Sequence, residues 1–490
     1  MSDIGFTRQK IMTMFSDWRI LLALIVLGTG VGILQAIAPR SSLLLVLLSG
    51  GIGYMFLTYL FPFVAFVILL FLALTVWLSI VEVAFGISLM VAVGFAFTAV
   101  WLWRLAFQVN TFVKVREYGL LLALLVMIVI SNLFNWGGST GFYMTFTYLQ
   151  LFLLFVLVVN LTTTPHRLHV LSITVVASST LVAALILLDQ VGLLPLQLML
   201  NPASNILVEG GYTRVTRASG LWGGPNMTAV QLTLALPFIL EWWPTRRSLE
   251  QRLLLLGLAV VIIVALVFTF SVGGIIGLVT ILLTKELINA RRHALAKVFR
   301  IVFVVTLAVL VLSITLPDLY KQRFVAQFIV LIEGLRTLDE EQLLMIATER
   351  GDAWFASVQS ISESPWVGHG PGNAMATNAQ YSMLHFGSLR APHNMFLSVG
   401  TEVGLIGMAL FGALLFSSLL QVSPMGRARL KESVLQQTGD AIFIALVAYI
   451  VQGMALDIQN LKLLWILLGM AAVYGRLRAS TPSHPAKQDK

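Results

Sequence analysis

Residues 392–416 read PHNMFLSVGTEVGLIGMALFGALLF, and this stretch decides the fold. From Met395 to Phe416 the only ionisable side chain is Glu402. Such a run is long enough to cross a bilayer, which takes about 20 apolar residues. Upstream of Pro392 the chain is polar and turn-rich for a long way, through Glu349-Arg350-Gly351-Asp352 and the glycine turn Gly368-His369-Gly370-Pro371-Gly372-Asn373. A histidine and an asparagine therefore stand where a water-exposed segment re-enters lipid.

The rest of the chain repeats the apolar half of this pattern. Apolar residues make up 58% and charged residues 11%, against roughly 45–50% and about 25% in globular domains. A mean hydropathy of +0.92 over 490 residues calls for many spans. Apolar segments fall at 20–38, 43–60, 62–80, 84–103, 118–136, 143–163, 168–189, 226–243, 252–270, 272–287, 298–316, 394–420, 440–457 and 461–478. The expected fold class is an all-α polytopic membrane protein with about 12–14 transmembrane helices by span length and two long external loops. Two divisions are open. Only Phe61-Pro62 splits the run 41–81, and the segment 272–287 is short and opens on Gly273-Gly274, the pattern of a broken or shallow helix.

Charge sets the sidedness. With the N-terminus inside, the inner loops collect Arg104, Lys114, Arg116, Arg167, Arg246, Arg247, Arg252, Lys285, Arg291, Arg292, Lys297, Arg300, Arg427, Arg429, Lys431, Arg476 and Arg478. This satisfies the positive-inside rule, from which long translocated loops are exempt. Both termini are then cytoplasmic, and loops 191–225 and 317–392 are external. The same rule accounts for the net charge of +9 without a nucleic-acid partner. The segment Ile20–Ala38 reads as a first helix that is retained, since no small-residue cleavage site follows it. The absence of cysteine excludes disulfides, thiolate nucleophiles and cysteine-based metal sites.

Three regions follow: N-terminal helices over 1–190, a core with both external loops over 191–420, and C-terminal helices with a cytoplasmic tail over 421–490. In the second loop Phe324, Phe328, Leu331 and Leu335 share one side of a segment Arg323–Leu335, expected to lie along the membrane surface. A helix is expected over Glu341–Ser362, stopped by Pro365, with Arg350 and Trp354 one turn apart. The tail 479–490 is polar and expected to be disordered. No P-loop, no GxGxxG after a strand, no HExxH and no internal repeat occurs.

His393 can serve as a cap or as a base, since imidazole exchanges protons near neutral pH. Pro392 ends the loop before it, Asn394 is placed to orient its ring, and the positive end of the next helix dipole lies there. Arg217 and Arg350 sit beside aromatic residues close to membrane re-entry. Their planar forks suit phosphate oxygens. Arg214, Lys321, Arg323 and Arg390 read first as headgroup contacts. Glu402 lies about two turns into its span, where it either orients His393 or closes a helix contact. Asp189 and Asp457 read as ordinary helix-end acids.

Taken in order, Arg217-Ala218-Ser219-Gly220…Pro225-Asn226, Arg350…Trp354, Ser364-Pro365-Trp366-Val367-Gly368-His369-Gly370-Pro371-Gly372 and His393-Asn394…Glu402-Val403-Gly404-Leu405-Ile406-Gly407 form a series. The series resembles the bacterial O-antigen ligase and O-antigen polymerase superfamily, over Arg217 to Gly407. The resemblance implies transfer of a glycan from undecaprenyl diphosphate to an acceptor hydroxyl, on lipid A core or growing polysaccharide, at the periplasmic face. It implies neither metal nor cofactor, with membrane lipids and polysaccharide-assembly proteins as further partners. The implied catalytic set is His393, Arg217 and Arg350, the arginines holding the diphosphate. Arg214, Asn226, Trp354, Gly370, Gly372, Asn394 and Glu402 are the implied substrate-binding residues. Val272 stands where related sequences often carry arginine, so no role passes to it. The competing class is a transporter or flippase of polysaccharide precursors, which predicts repeats and ionisable groups deep in several spans.

Overall fold

The computed structural model describes residues 42–75, 82–84, 87–107, 109, 111–136, 138–193, 204–208, 211–215, 217–220, 224–245, 248–289, 348–382, 391–424 and 434–480. The expected spans at 20–38 and 298–316, the surface helix Arg323–Leu335 and the tail beyond Ser480 lie outside them.

The described chain is helical apart from two small hairpins. It opens with α1 (Ser42–Leu60) and α2 (Pro62–Thr75), divided at the expected Phe61-Pro62. A hairpin of β1 (Glu82–Ala84) and β2 (Ile87–Ser88) precedes α3 (Leu89–Ala106). Next come α4 (Glu117–Asn135), α5 (Gly138–Leu161) and α6 (Pro165–Gln190). The segment after α6 contains the antiparallel pair β3 (Ser204–Val208) and β4 (Gly211–Val215). It leads into α7 (Pro225–Trp242), α8 (Leu249–Phe268) and α9 (Val272–Asn289). The segment from Val272 is thus one continuous helix. Its glycines serve packing: a Cβ on Gly274 would stand 2.9 Å from that of Ala229 on α7.

From the second loop come α10 (Thr348–Glu363) and the short α11 (Ala374–Asn378). Then follow α12 (Met395–Val422), α13 (Val434–Gly453) and α14 (Lys462–Ala479). Among the described residues seven helices are long and apolar enough to cross a membrane: α3, α4, α5, α6, α8, α12 and α13. The fold is an all-α polytopic membrane protein.

Burial sorts the helices into layers. Leu463 through Val473 of α14 and most of α7 are fully enclosed, including Trp465 and Phe238. Around them α3, α4 and α8 keep large apolar side chains outward, among them Leu122, Leu133, Leu254 and Val260. Helices that are apolar all round fit this arrangement, with a protein-facing side and a lipid-facing side.

Chain direction brings several ends together. The starts of α7, α9, α12 and α14 share one end of the bundle with the ends of α8 and α13. There Gly273 approaches Leu456, and Gly453 packs on the Met395 side chain. The end of α12 and the end of α14, which carries Arg476 and Arg478, lie at the other.

Candidate functional site

The site is built on a break in α12. Gly404 adopts φ 77° and ψ −179°, so the helix changes course two turns after its start. The glycine-rich segment after α10 threads into this break. His369 N donates to Thr401 O at 2.8 Å, Gly370 N to Glu402 O at 3.0 Å, and Leu405 N to Pro365 O at 2.7 Å. A Cβ on Gly368 would stand 2.5 Å from the Glu402 carbonyl carbon, and one on Gly404 2.5 Å from that of Trp366. Both glycines have positive φ, which only glycine adopts freely. Two backbones touch here with no room for side chains.

The anchoring continues outward. Ser131 Oγ of α4 donates to Glu402 O at 2.7 Å, and Asn135 Nδ2 to Gly368 O at 3.0 Å. His369 pairs with Ser360 O at 2.7 Å. Ser382 Oγ donates to the buried Asp352 at 2.5 Å, and Asn378 bridges Ser357 and Ser360. Through these bonds α10, which carries Arg350, is fastened to the start of α12, which follows His393.

His393 is a left-handed residue, φ 51°, a conformation that costs a non-glycine residue energy unless its surroundings hold it. Here Asp457, in the turn between α13 and α14, does so. Its carboxylate accepts from His393 N at 2.9 Å, Asn394 N at 3.2 Å and the Ser398 hydroxyl. The same carboxylate lies 3.6 Å from His393 Nδ1, and the imidazole is 41% exposed. The ring is thus fixed by its backbone and by a carboxylate on one side, with a face left to solvent.

Asn394 does not orient the ring as expected. Its Oδ1 accepts from Phe396 N at 2.9 Å and Leu397 N at 3.2 Å, closing the first turn of α12. An asparagine with extended backbone at this position is a standard N-cap, so the ring's partner has to come from elsewhere.

Arg350 comes within electrostatic reach of the same carboxylate. Burial pushes its guanidinium below the usual arginine range, and Asp457 opposes that shift. Among the described residues its side chain has no hydrogen-bond partner. Trp354, one turn along α10, is half exposed. A cation within electrostatic reach of the carboxylate that flanks an exposed imidazole suits an anion near a general base.

Arg217 is differently employed. It is buried, donating from Nε to Thr269 O at 2.9 Å and from Nη2 to Phe270 O at 3.2 Å and Asn226 Oδ1 at 3.0 Å. Asn226 also accepts from Ser271 Oγ at 3.0 Å. Arg217 therefore satisfies the carbonyls that end α8 and shapes the left-handed turn at Phe270. The turn reaches the other half of the site through Gly273, whose added Cβ would lie 3.3 Å from Leu456, the neighbour of Asp457. Arg214 stands on β4 opposite Asn205.

The remaining expected residues are structural in their contacts. Gly370 and Gly372 have φ 93° and 82°, and a Cβ on Gly372 would stand 2.7 Å from Met144. Glu402 is buried with its carboxylate against the Gly372 and Ala374 amides, while Oε2 lacks a hydrogen-bond partner among the described residues. Asp457, read from sequence as a helix-end acid, is the residue that was overlooked. Its signal was present: it is the only acid in the short polar turn Asp457-Ile458-Gln459-Asn460 between two apolar segments.

Residues 257–412 match the model of the O-antigen ligase family, so the resemblance read from the motifs is shown for that part of the chain. The match takes in Arg350, the glycine turn and His393; Arg217 and Asp457 lie outside it. No curated protein matches the chain.

Proposed function

We propose, on the premise of this O-antigen ligase family domain, that the protein transfers a glycan from a lipid-linked diphosphate to an acceptor hydroxyl at the periplasmic face of the inner membrane. The observation that carries the reading is the grouping of Arg350, Asp457 and the exposed His393 ring at the mouth of α12.

The chemistry follows from those groups. The glycan's anomeric carbon bonds to the acceptor oxygen as its bond to the diphosphate breaks. His393 takes the hydroxyl proton, and Asp457 stabilises the imidazolium that results. Charge accumulates on the departing diphosphate, where the partly buried Arg350 stabilises it in a medium of low dielectric. The activated diphosphate linkage supplies the driving force, so no nucleotide is required. Arg217 supports the site by holding the turn at Phe270 in place.

An amphiphilic donor also suits the surroundings. A cleft between α2, α3 and α5, lined by Leu69, Phe95, Leu151 and Leu154, ends at Asn460 and Lys462 just beyond Asp457. Apolar walls that include one lysine, Lys462, suit a lipid tail carrying an anionic head.

The test is reconstitution. Purified protein is supplied with a lipid-diphosphate oligosaccharide, with and without lipid A core. A core-linked glycan identifies the ligase reaction, and lengthened lipid-linked glycan the polymerase reaction. Formation of neither, with the donor consumed by no route, would contradict the proposal.

A further inference from the structure

The opposite end of the bundle holds a second recess. Its volume is about 570 Å³, and Lys114, Arg116, Glu117, Gln421, Arg476 and Arg478 contribute to its walls. Leu420 and Gln421 near the end of α12 line it, so this recess lies roughly 24 Å along the helix beyond the break at Gly404 at 1.5 Å per residue.

Four cations face one carboxylate. Glu117 is buried and already engaged, accepting from Arg116 Nε at 2.9 Å, Ser417 Oγ at 3.0 Å and the Gln421 amide. Arg476 is anchored by donation to Thr162 O at 2.6 Å and Val159 O at 3.5 Å. Lys114 is exposed and Arg478 half-buried. Basic residues at an inner membrane face need no special purpose, and a helix C-terminus favours them. Neither effect calls for segments far apart in the chain, 114–117 and 476–478, to line one concave space with excess positive charge.

We propose that this recess binds the phosphate of an anionic phospholipid headgroup. With Glu117 offsetting one of the four cations, the remaining positive charge attracts the single negative charge of a phosphodiester. Leu420, exposed on the same rim, offers apolar surface to an acyl chain. The ligand is thus a lipid of the surrounding membrane, bound away from the reacting groups.

Native mass spectrometry of the delipidated full-length protein tests this with phosphatidylglycerol and phosphatidylcholine titrated separately. Phosphatidylglycerol is expected to bind at least about tenfold more tightly. Lys114→Gln and Arg478→Gln should each weaken it by about fivefold, the scale of one basic side chain at an anionic surface. Arg252→Gln removes an exposed basic residue in the first turn of α8, outside the recess, and should leave binding unchanged. Lys114 is exposed and outside any helix, so its variant tests the site even where Arg478→Gln fails to fold. Equal affinity for the two lipids, or an equal loss with Arg252→Gln, would overturn the proposal. Displacement of the lipid by millimolar glycerol phosphate would overturn the lipid assignment in favour of a soluble phosphate.

Discussion

Asp457 does at the residue scale what the sequence assigns to Asn394. An asparagine directly after a histidine is well placed in the sequence to hold the ring, but in space it faces the first amides of α12. The ring's partner arrives from a turn more than sixty residues downstream, whose lone acid is visible in the sequence but is tied to His393 only in space. The account makes Asp457 a positioning residue. Asp457→Asn keeps one acceptor oxygen, loses the charge and leaves amide donors poorly matched, at about 1–3 kcal/mol for each unsatisfied group. Its kcat is expected to fall by about tenfold or more while KM for the donor changes little, a loss confined to the transition state. A raised KM with unchanged kcat would mean that Asp457 serves binding instead. Asn394→Ala should lower the thermal midpoint through the lost cap, at about 1 kcal/mol, and Asn394→Asp should restore it. Arg217→Lys tests the third residue: lysine cannot span Thr269, Phe270 and Asn226 together, so a melting scan should show destabilisation even with positive charge retained.

At the scale of elements the spans were readable and the break in one of them was not. Hydropathy locates α12 because apolar composition follows directly from lipid exposure, and Phe61-Pro62 marks the division of α1 from α2 because proline cannot donate to the helix ladder. The glycine turn is also visible in sequence, but its purpose is not. Gly404 and Gly368 are each required by the other's backbone, and such a contact has no one-dimensional signature. A matched pair of substitutions separates this from ordinary helix propensity. Gly404→Ala forces a Cβ into Trp366 at positive φ and should destabilise the protein by about 3 kcal/mol or more. Gly412→Ala on the same helix meets nothing within 4 Å and should be neutral or slightly stabilising. Equal thermal midpoints for the two variants would remove the interlock from the account.

For the whole molecule, hydropathy reaches the all-α polytopic architecture, and motif order reaches the family whose model matches residues 257–412. They do not reveal that Arg217 and Arg350 have unequal employment. The sequence presents two similar arginines beside aromatic residues; packing gives one of them carbonyls to satisfy and leaves the other within electrostatic reach of Asp457. The molecule thereby divides into the end organised by Asp457 and the break in α12, where the proposed reaction is placed, and a basic end on the far side of that break. The central claim is that transfer takes place at the reacting end. Its most direct test is a single-turnover assay in proteoliposomes with a labelled lipid-diphosphate glycan, comparing the wild-type protein with His393→Ala and Arg350→Ala inserted to equal levels. The account predicts that each variant loses about a hundredfold or more in the rate of glycan transfer, the range for losing a general base or a fixed charge at the leaving group. Wild-type rates in either variant would contradict it.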